Sequence, residues 1–233
     1  MRKFLSAFLF GGVVFSAANA NVLEFDTSDP LYMPRAEEIL SESTVTYGRD
    51  ILRFGETLSY GLNNRLMVSV NTNFQVDFPG NEDGFTSTDL GGVYRAGVSD
   101  SLISDVIFGF KFGGSRHVRT PWFADSTYYA GWRFGRQWAG LTLAATIQSN
   151  WIFDDEQGMS YIDFMPEAYF RLDPDWRLGI NAIVRKATKP SFNEEWFGMK
   201  LVRQFGRTQY VGHIDYEFEH DDVQIGARVN IVF

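Results

Sequence analysis

Few residues in this chain have the types and spacing that bond-making chemistry requires. There are three histidines, His117, His213 and His220, and no cysteine. His213 precedes Asp215 by two residues and Glu217 by four, so on an extended strand all three share one face. A histidine beside a carboxylate is the pairing of a general base with the acid that orients its ring. No Gly-x-Ser-x-Gly turn accompanies it to present a nucleophilic serine. The acidic runs Glu82-Asp83, Asp154-Asp155-Glu156 and Asp221-Asp222 could attract Ca²⁺, but they lack the regular ligand spacing of a calcium loop and read as solvated loops. Absence of cysteine removes disulfides, thiolate metal sites and a thiol nucleophile. No phosphate-binding or dinucleotide fingerprint is present, and a net charge of −8 argues against a nucleic-acid partner. The expectation is a protein with no catalytic, metal-binding or cofactor-binding residue.

The elements that carry these side chains are strands. Val223, Ile225, Ala227, Val229, Ile231 and Phe233 alternate with Gln224, Gly226, Arg228 and Asn230, and Leu66 to Phe78 repeats the pattern. The period predicts an all-β chain with strands at 43–48, 51–62, 65–78, 86–98, 102–114, 125–138, 141–153, 160–172, 177–188, 196–206, 208–219 and 222–233. That is twelve strands, with ten as the alternative count. Most exceed the five or six residues usual in soluble sheets and match the nine to eleven of a tilted membrane crossing. Connections at 62–64, 99–101, 138–140, 173–176 and 205–208 are short, whereas 79–85, 115–124, 154–159 and 189–195 are longer and polar. The short 48–50 and 220–221 connections break that asymmetry.

Composition by itself suggests a soluble protein: 45% hydrophobic and 21% charged. The surplus is aromatic, with 22 Phe, 10 Tyr and 6 Trp. Many fall at strand ends, where a transmembrane barrel carries interfacial girdles. Tyr60, Trp138, Trp176 and Phe205 mark one boundary; Phe78, Phe123, Trp151, Phe153 and Phe197 mark the other. The polar face carries Arg53, Arg65, Asp89, Arg95, Asp105 and Lys111 in the first half of the chain. It continues with Arg133, Asp163, Glu167, Arg171, Arg177 and Arg185, then Lys200, His213, Asp215, Glu217 and Arg228. These are the expected lumen-lining residues, with bases outnumbering acids.

The first residues read as an address. Met1-Arg2-Lys3 is basic, Phe4 to Phe15 is apolar, and Ala18-Asn19-Ala20 has the small-x-small form of a cleavage site. The expected organisation is a signal peptide at 1–20, a periplasmic or lumen-plug segment at 21–42 broken by Asp29-Pro30 and Met33-Pro34, and a barrel at 43–233.

A lipid-facing sheet must close, because lipid offers no hydrogen-bond partner to an open edge. At this point the chain resembles a bacterial outer-membrane β-barrel. The last strand, ending on Phe233 after alternating apolar residues, is similar to the signal read by the barrel-assembly machinery in that superfamily. The resemblance implies an antiparallel up-and-down barrel in outer-membrane lipid and lipopolysaccharide, here taken as a monomer. A narrower stretch, Glu56-Thr57-Leu58-Ser59-Tyr60-Gly61-Leu62-Asn63-Asn64-Arg65-Leu66 with Asp89 to Arg95, resembles outer-membrane transporters of the phenol meta-pathway type. That likeness implies hydrophobic or aromatic solutes, whereas the basic lumen favours anionic ones. Three functions follow in order: a channel for passive passage of small molecules, a structural or surface-interaction barrel without an open pore, and a lipid-modifying enzyme. The outer-membrane phospholipases hold their serine and histidine on the lipid-facing rim, and His213 faces the other way.

Overall fold

Twelve antiparallel strands meet end to end, so that no edge is left over. They are β1 (Ile39–Gly48), β2 (Ile51–Asn63), β3 (Leu66–Asp77), β4 (Gly84–Val98), β5 (Ile103–Gly113) and β6 (Ser126–Gln137). They continue as β7 (Leu141–Phe153), β8 (Met159–Arg171), β9 (Trp176–Ala187), β10 (Glu194–Phe205), β11 (Thr208–Glu217) and β12 (Asp222–Val232). The computed structural model describes residues 26–78, 84–99, 102–113, 126–153, 159–190 and 193–233. Each strand pairs with its sequence neighbours, and β1 pairs with β12 to close the barrel. Residues 1–20, expected to be a signal peptide, and Phe123, His117, Glu82-Asp83 and Asp154-Asp155-Glu156 lie outside the described residues.

Closure is finished by the chain's last residue. The Phe233 amide donates to the Ile39 carbonyl at 2.9 Å, and the Ile39 amide donates back at 3.4 Å. Phe233 therefore locks the first strand to the last while its ring lies 63% exposed on the exterior.

Alternation decides which face is wet. Phe54, Leu58, Leu90, Trp132, Ile147, Ile214 and Ile225 point outward and are exposed all around the barrel. Water would not tolerate so continuous an apolar surface, whereas hydrocarbon does. Their neighbours in sequence point inward, and Asp105, Thr142, Arg177, Gln209 and Asn230 are fully buried there. At the girdle positions Tyr60, Trp138 and Phe205 are exposed near one rim, with Phe78, Trp151, Phe153 and Phe197 near the other. Trp176 is half-buried under the Arg203 guanidinium, 5.2 Å from its ring centroid.

Two expectations need correction. β1 starts at Ile39, four residues before the expected position, so residues 39–42 belong to the wall and not to the leading segment. The cause is visible in its pattern. Leu40 faces inward while Ser41 and Ser43 face outward, so the apolar alternation that marks the other strands is lost. Arg65 is not on the lumenal wall: it is exposed in the turn between β2 and β3. The short outer connection at 48–51 has a local reason, since Arg49 (φ 52°) and Asp50 (φ 58°) both take the left-handed conformation of a two-residue hairpin turn.

Candidate functional site

The site is the lumen, and its lower half is built around residues 26–34. Pro30 and Pro34 cannot donate backbone bonds, which keeps this stretch out of the sheet. It enters the barrel instead. Asp26 accepts from the Tyr169 hydroxyl at 2.5 Å, from Arg171 and Arg177 Nε at 3.2 Å each, and from Gln209 Nε2 at 3.0 Å. Thr27 and Ser28 donate to Gln209 Oε1 at 2.7 and 2.6 Å, and Asn230 Nδ2 donates to Thr27 at 2.9 Å. Asp29 takes bonds from Thr142 and from Arg171 Nη2, both at 2.5 Å. Lys200 Nζ donates to the Ser28 carbonyl at 2.8 Å, and Arg95 Nη2 to the Leu31 carbonyl at 2.6 Å.

Partners thus come from β4 and from every strand between β7 and β12. Asp26, Asp29 and Leu31 are buried. Burial raises the Asp29 carboxyl above the ordinary carboxylate value, against the opposing pull of Thr142, the Leu31 amide and Arg171. Arg177, fully buried, spends its remaining donors on the carbonyls of Asp173, Pro174 and Trp176 in the rim turn below β9.

The segment leaves the lumen over Gly61. The Gly61 amide donates to the Glu38 carbonyl at 3.0 Å, and the Glu37 amide donates to the Gly61 carbonyl at 2.8 Å. A Cβ at Gly61 would collide with the Arg35 and Pro34 carbonyls, so only glycine lets the chain turn back across the rim here. Gly61, near the end of β2, therefore has a packing reason that the sequence alone does not reveal.

Beside and above this layer the lumen side chains pair with one another. Asp105 receives Arg95 Nε at 2.9 Å and Arg133 Nη2 at 2.6 Å. Asp163 receives Arg185 Nε at 2.8 Å, and the same guanidinium reaches Glu194 at 2.8 Å. Lys200 pairs with Glu167, and Arg228 lies 3.4 Å from Glu42. Asp89 accepts from the Tyr129 hydroxyl at 2.9 Å. At the outer mouth Arg49 reaches Glu217 at 2.6 Å and Asp222 at 3.1 Å, while His220 pairs with Glu217. Among the described residues Arg53 and Lys111 face the upper lumen outside any ion pair.

Long upper-lumen side chains lie flat along the wall. Glycines on adjacent strands make this possible: a Cβ at Gly198 would strike Asp215 and Asn181, and one at Gly226 would strike the His213 ring. Among the described residues, two lumenal spaces are found. One, of about 350 Å³, runs beside the N-terminal segment past Ser28, Tyr32, Glu42, Arg133 and Gln148. The other, of about 260 Å³, is walled by Thr44, Asn181, His213 and Asp215. Both touch Glu167, Lys200 and Arg228.

Catalytic geometry is not assembled at the histidine. His213 Nε2 stands 3.7 Å from Asp215 Oδ2, beyond hydrogen-bond range, and 3.3 Å from Thr46 Oγ1. Among the described residues no cluster of three His, Asp or Glu is placed to hold a metal ion.

Several solved structures share this fold. The KdgM porin superposes with a TM-score of 0.65 at 11% identity, covering 83% of this chain and 99% of that one. The NanC porin gives 0.66 at 8% identity, covering 83% and 98%. An outer-membrane channel from Pseudomonas putida F1 gives 0.60 at 10% identity, covering 87% and 97%. The fold is that of a bacterial outer-membrane β-barrel. No protein-family model and no curated protein matches the chain.

Sequence reasoning missed several lumenal residues of the barrel. Thr142, Tyr169, Gln209 and Asn230 follow from the same alternation that placed the charges, but uncharged side chains carry no flag. Glu42 was hidden by the unrecognised start of β1. Asp26 and Asp29 had no sequence signal beyond lying near a proline. Together with Glu194 and Asp222 these acids offset the expected basic excess, so the lumen is of mixed sign.

Proposed function

We propose that this barrel conducts small polar solutes across the bacterial outer membrane, and that residues 26–34 form its constriction. One observation carries the reading: a charged space persists beside the docked segment and adjoins a second space above it at Glu167, Lys200 and Arg228. A merely structural barrel would gain by filling that volume, since close packing is what stabilises an interior. Paired charges of both signs favour hydrated, charged or zwitterionic solutes over the hydrophobic ones that the narrower sequence resemblance implied. Similarity to barrels described as porins supports the reading, and one of these was solved in complex with oligogalacturonate. Phe233 serves here as the assembly signal, consistent with its position at the closing seam.

The test is ion current and solute influx with the purified, folded chain. Small, discrete conductance steps in planar bilayers and uptake of small charged solutes into liposomes are expected. A folded protein that passes neither ions nor solutes would leave the structural barrel as the correct reading.

A further inference from the structure

Among the described residues, one charged side chain on the barrel's exterior lies far from both rims. Ser41 and Ser43 on β1 face outward, and both donate to Glu56 on β2, at 2.8 and 2.5 Å, one to each carboxylate oxygen. Glu56 is exposed and lies between Phe54 and Leu58, which are 42% and 46% exposed on the same face. Thr72 of β3 stands opposite it in register.

Depth makes the cluster unusual. Glu56 is four residues from Tyr60 at one rim and four from Leu52, which pairs with Tyr47 at the other. Tyr47 itself stacks edge-on against Phe78, 6.0 Å between centroids. Four residues span about 13 Å along a strand, or about 10 Å along the membrane normal at the tilt such barrels use. Glu56 therefore sits at the middle of the apolar belt. Other exterior charges stay at the boundaries: Arg136 is over Trp138 and Arg203 over Phe205 at the inner rim, and Glu195 pairs with Lys186 near the outer one. An ionisable group facing mid-bilayer is costly and calls for a partner.

We infer that Ser41, Ser43 and Glu56 form a contact surface for a second copy of this chain in the same membrane. Two copies related by an axis along the membrane normal present identical residues at identical depth, so Glu56 and Ser43 of one meet Ser43 and Glu56 of the other. The patch is self-complementary, because each copy brings hydroxyls and a carboxyl. The Ser43 hydroxyls can turn so that each donates to the facing carboxyl, which exchanges bonds made within one copy for bonds between copies. The exterior cations cannot serve, since they lie about 10 Å away in depth in a copy of the same orientation. The apolar residues around the patch then pack against their equivalents, and the carboxyl leaves the lipid.

The chain's lack of cysteine makes the test clean. Ser43→Cys is placed beside the proposed axis, and Ile147→Cys lies at an exterior site on β7, across the barrel. Oxidation of the folded protein in native membranes should give a covalent dimer from Ser43→Cys and at least fivefold less from Ile147→Cys. Adding Glu56→Leu to Ser43→Cys should cut the dimer severalfold, and Glu56→Gln, which keeps the hydrogen bonds, should restore most of it. Heat-modifiable mobility confirms that each variant is folded. Equal cross-linking at both sites, monomer from Ser43→Cys, or an undiminished dimer in Glu56→Leu would each overturn the inference.

Discussion

The lower and upper halves of the lumen use the same residue types to opposite ends. Below, Arg171 and Arg177 converge on Asp26 and Asp29, and the N-terminal segment fills the space between walls. Above, Arg185 and His213 lie along the wall, the histidine over the gap left by Gly226. What differs is the extra chain: among the described residues, only the lower half has a backbone threaded through it to absorb the donors. On the proposed reading, resistance to flow is set by the peptide docked in the barrel, and the strands frame it.

The largest expected effect comes from Gly61→Val. Its side chain would collide with the Arg35 carbonyl, so the segment cannot fold back across the rim, and conductance should rise severalfold in planar bilayers. An unchanged current would mean that the rim contact does not hold the segment in place.

Asp26→Ala comes next. It leaves the fully buried Arg177 without its carboxylate partner, a kind of loss that costs about 3–5 kcal/mol. Most of that falls on docking, so flickering openings and faster proteolysis at residues 26–38 are the expected readout. Asp105→Ala, which strands Arg95 and Arg133 in the wall, should instead lower the temperature at which the barrel unfolds on gels.

Upper-lumen changes should be milder. Arg185→Ala frees Asp163 and Glu194 and should shift ion selectivity toward cations, with total conductance changed by less than about twofold. A larger fall or rise would place the main resistance in the upper half.

The smallest effect is that of pH. Burial raises the docked Asp29 carboxyl, so the docked segment takes up a proton more readily than the free one. Docking therefore strengthens as pH falls through the docked-state value toward the ordinary carboxyl range near about 3.9. Conductance should decline modestly across that window, and Asp29→Asn should flatten the decline. A conductance that increases on acidification contradicts the assignment.

These two halves were not equally legible in the sequence. Strand number, closure and the inward direction of Asp105, Asp163 or Lys200 follow from a period of two, which is imposed by a wall between lipid and water. The docked segment obeys no period. Asp26 and Asp29 gain meaning only from Tyr169, Arg171, Arg177 and Gln209, more than a hundred residues away in sequence. The same limit hid the partners of Glu56: the period puts it outward with Phe54 and Leu58, but its bonds to Ser41 and Ser43 require the register of β1 and β2, and those serines are the ones that disguise β1 as a loop.

The central claim is that residues 26–34 are the constriction of a conducting barrel. Single-channel recording of the intact chain beside a variant lacking only those residues tests it most directly, since both keep β1 and the Phe233 closure. Small steps for the intact chain and severalfold larger, quieter ones for the deletion are predicted. Identical conductance in the two, or silence in both, would contradict it.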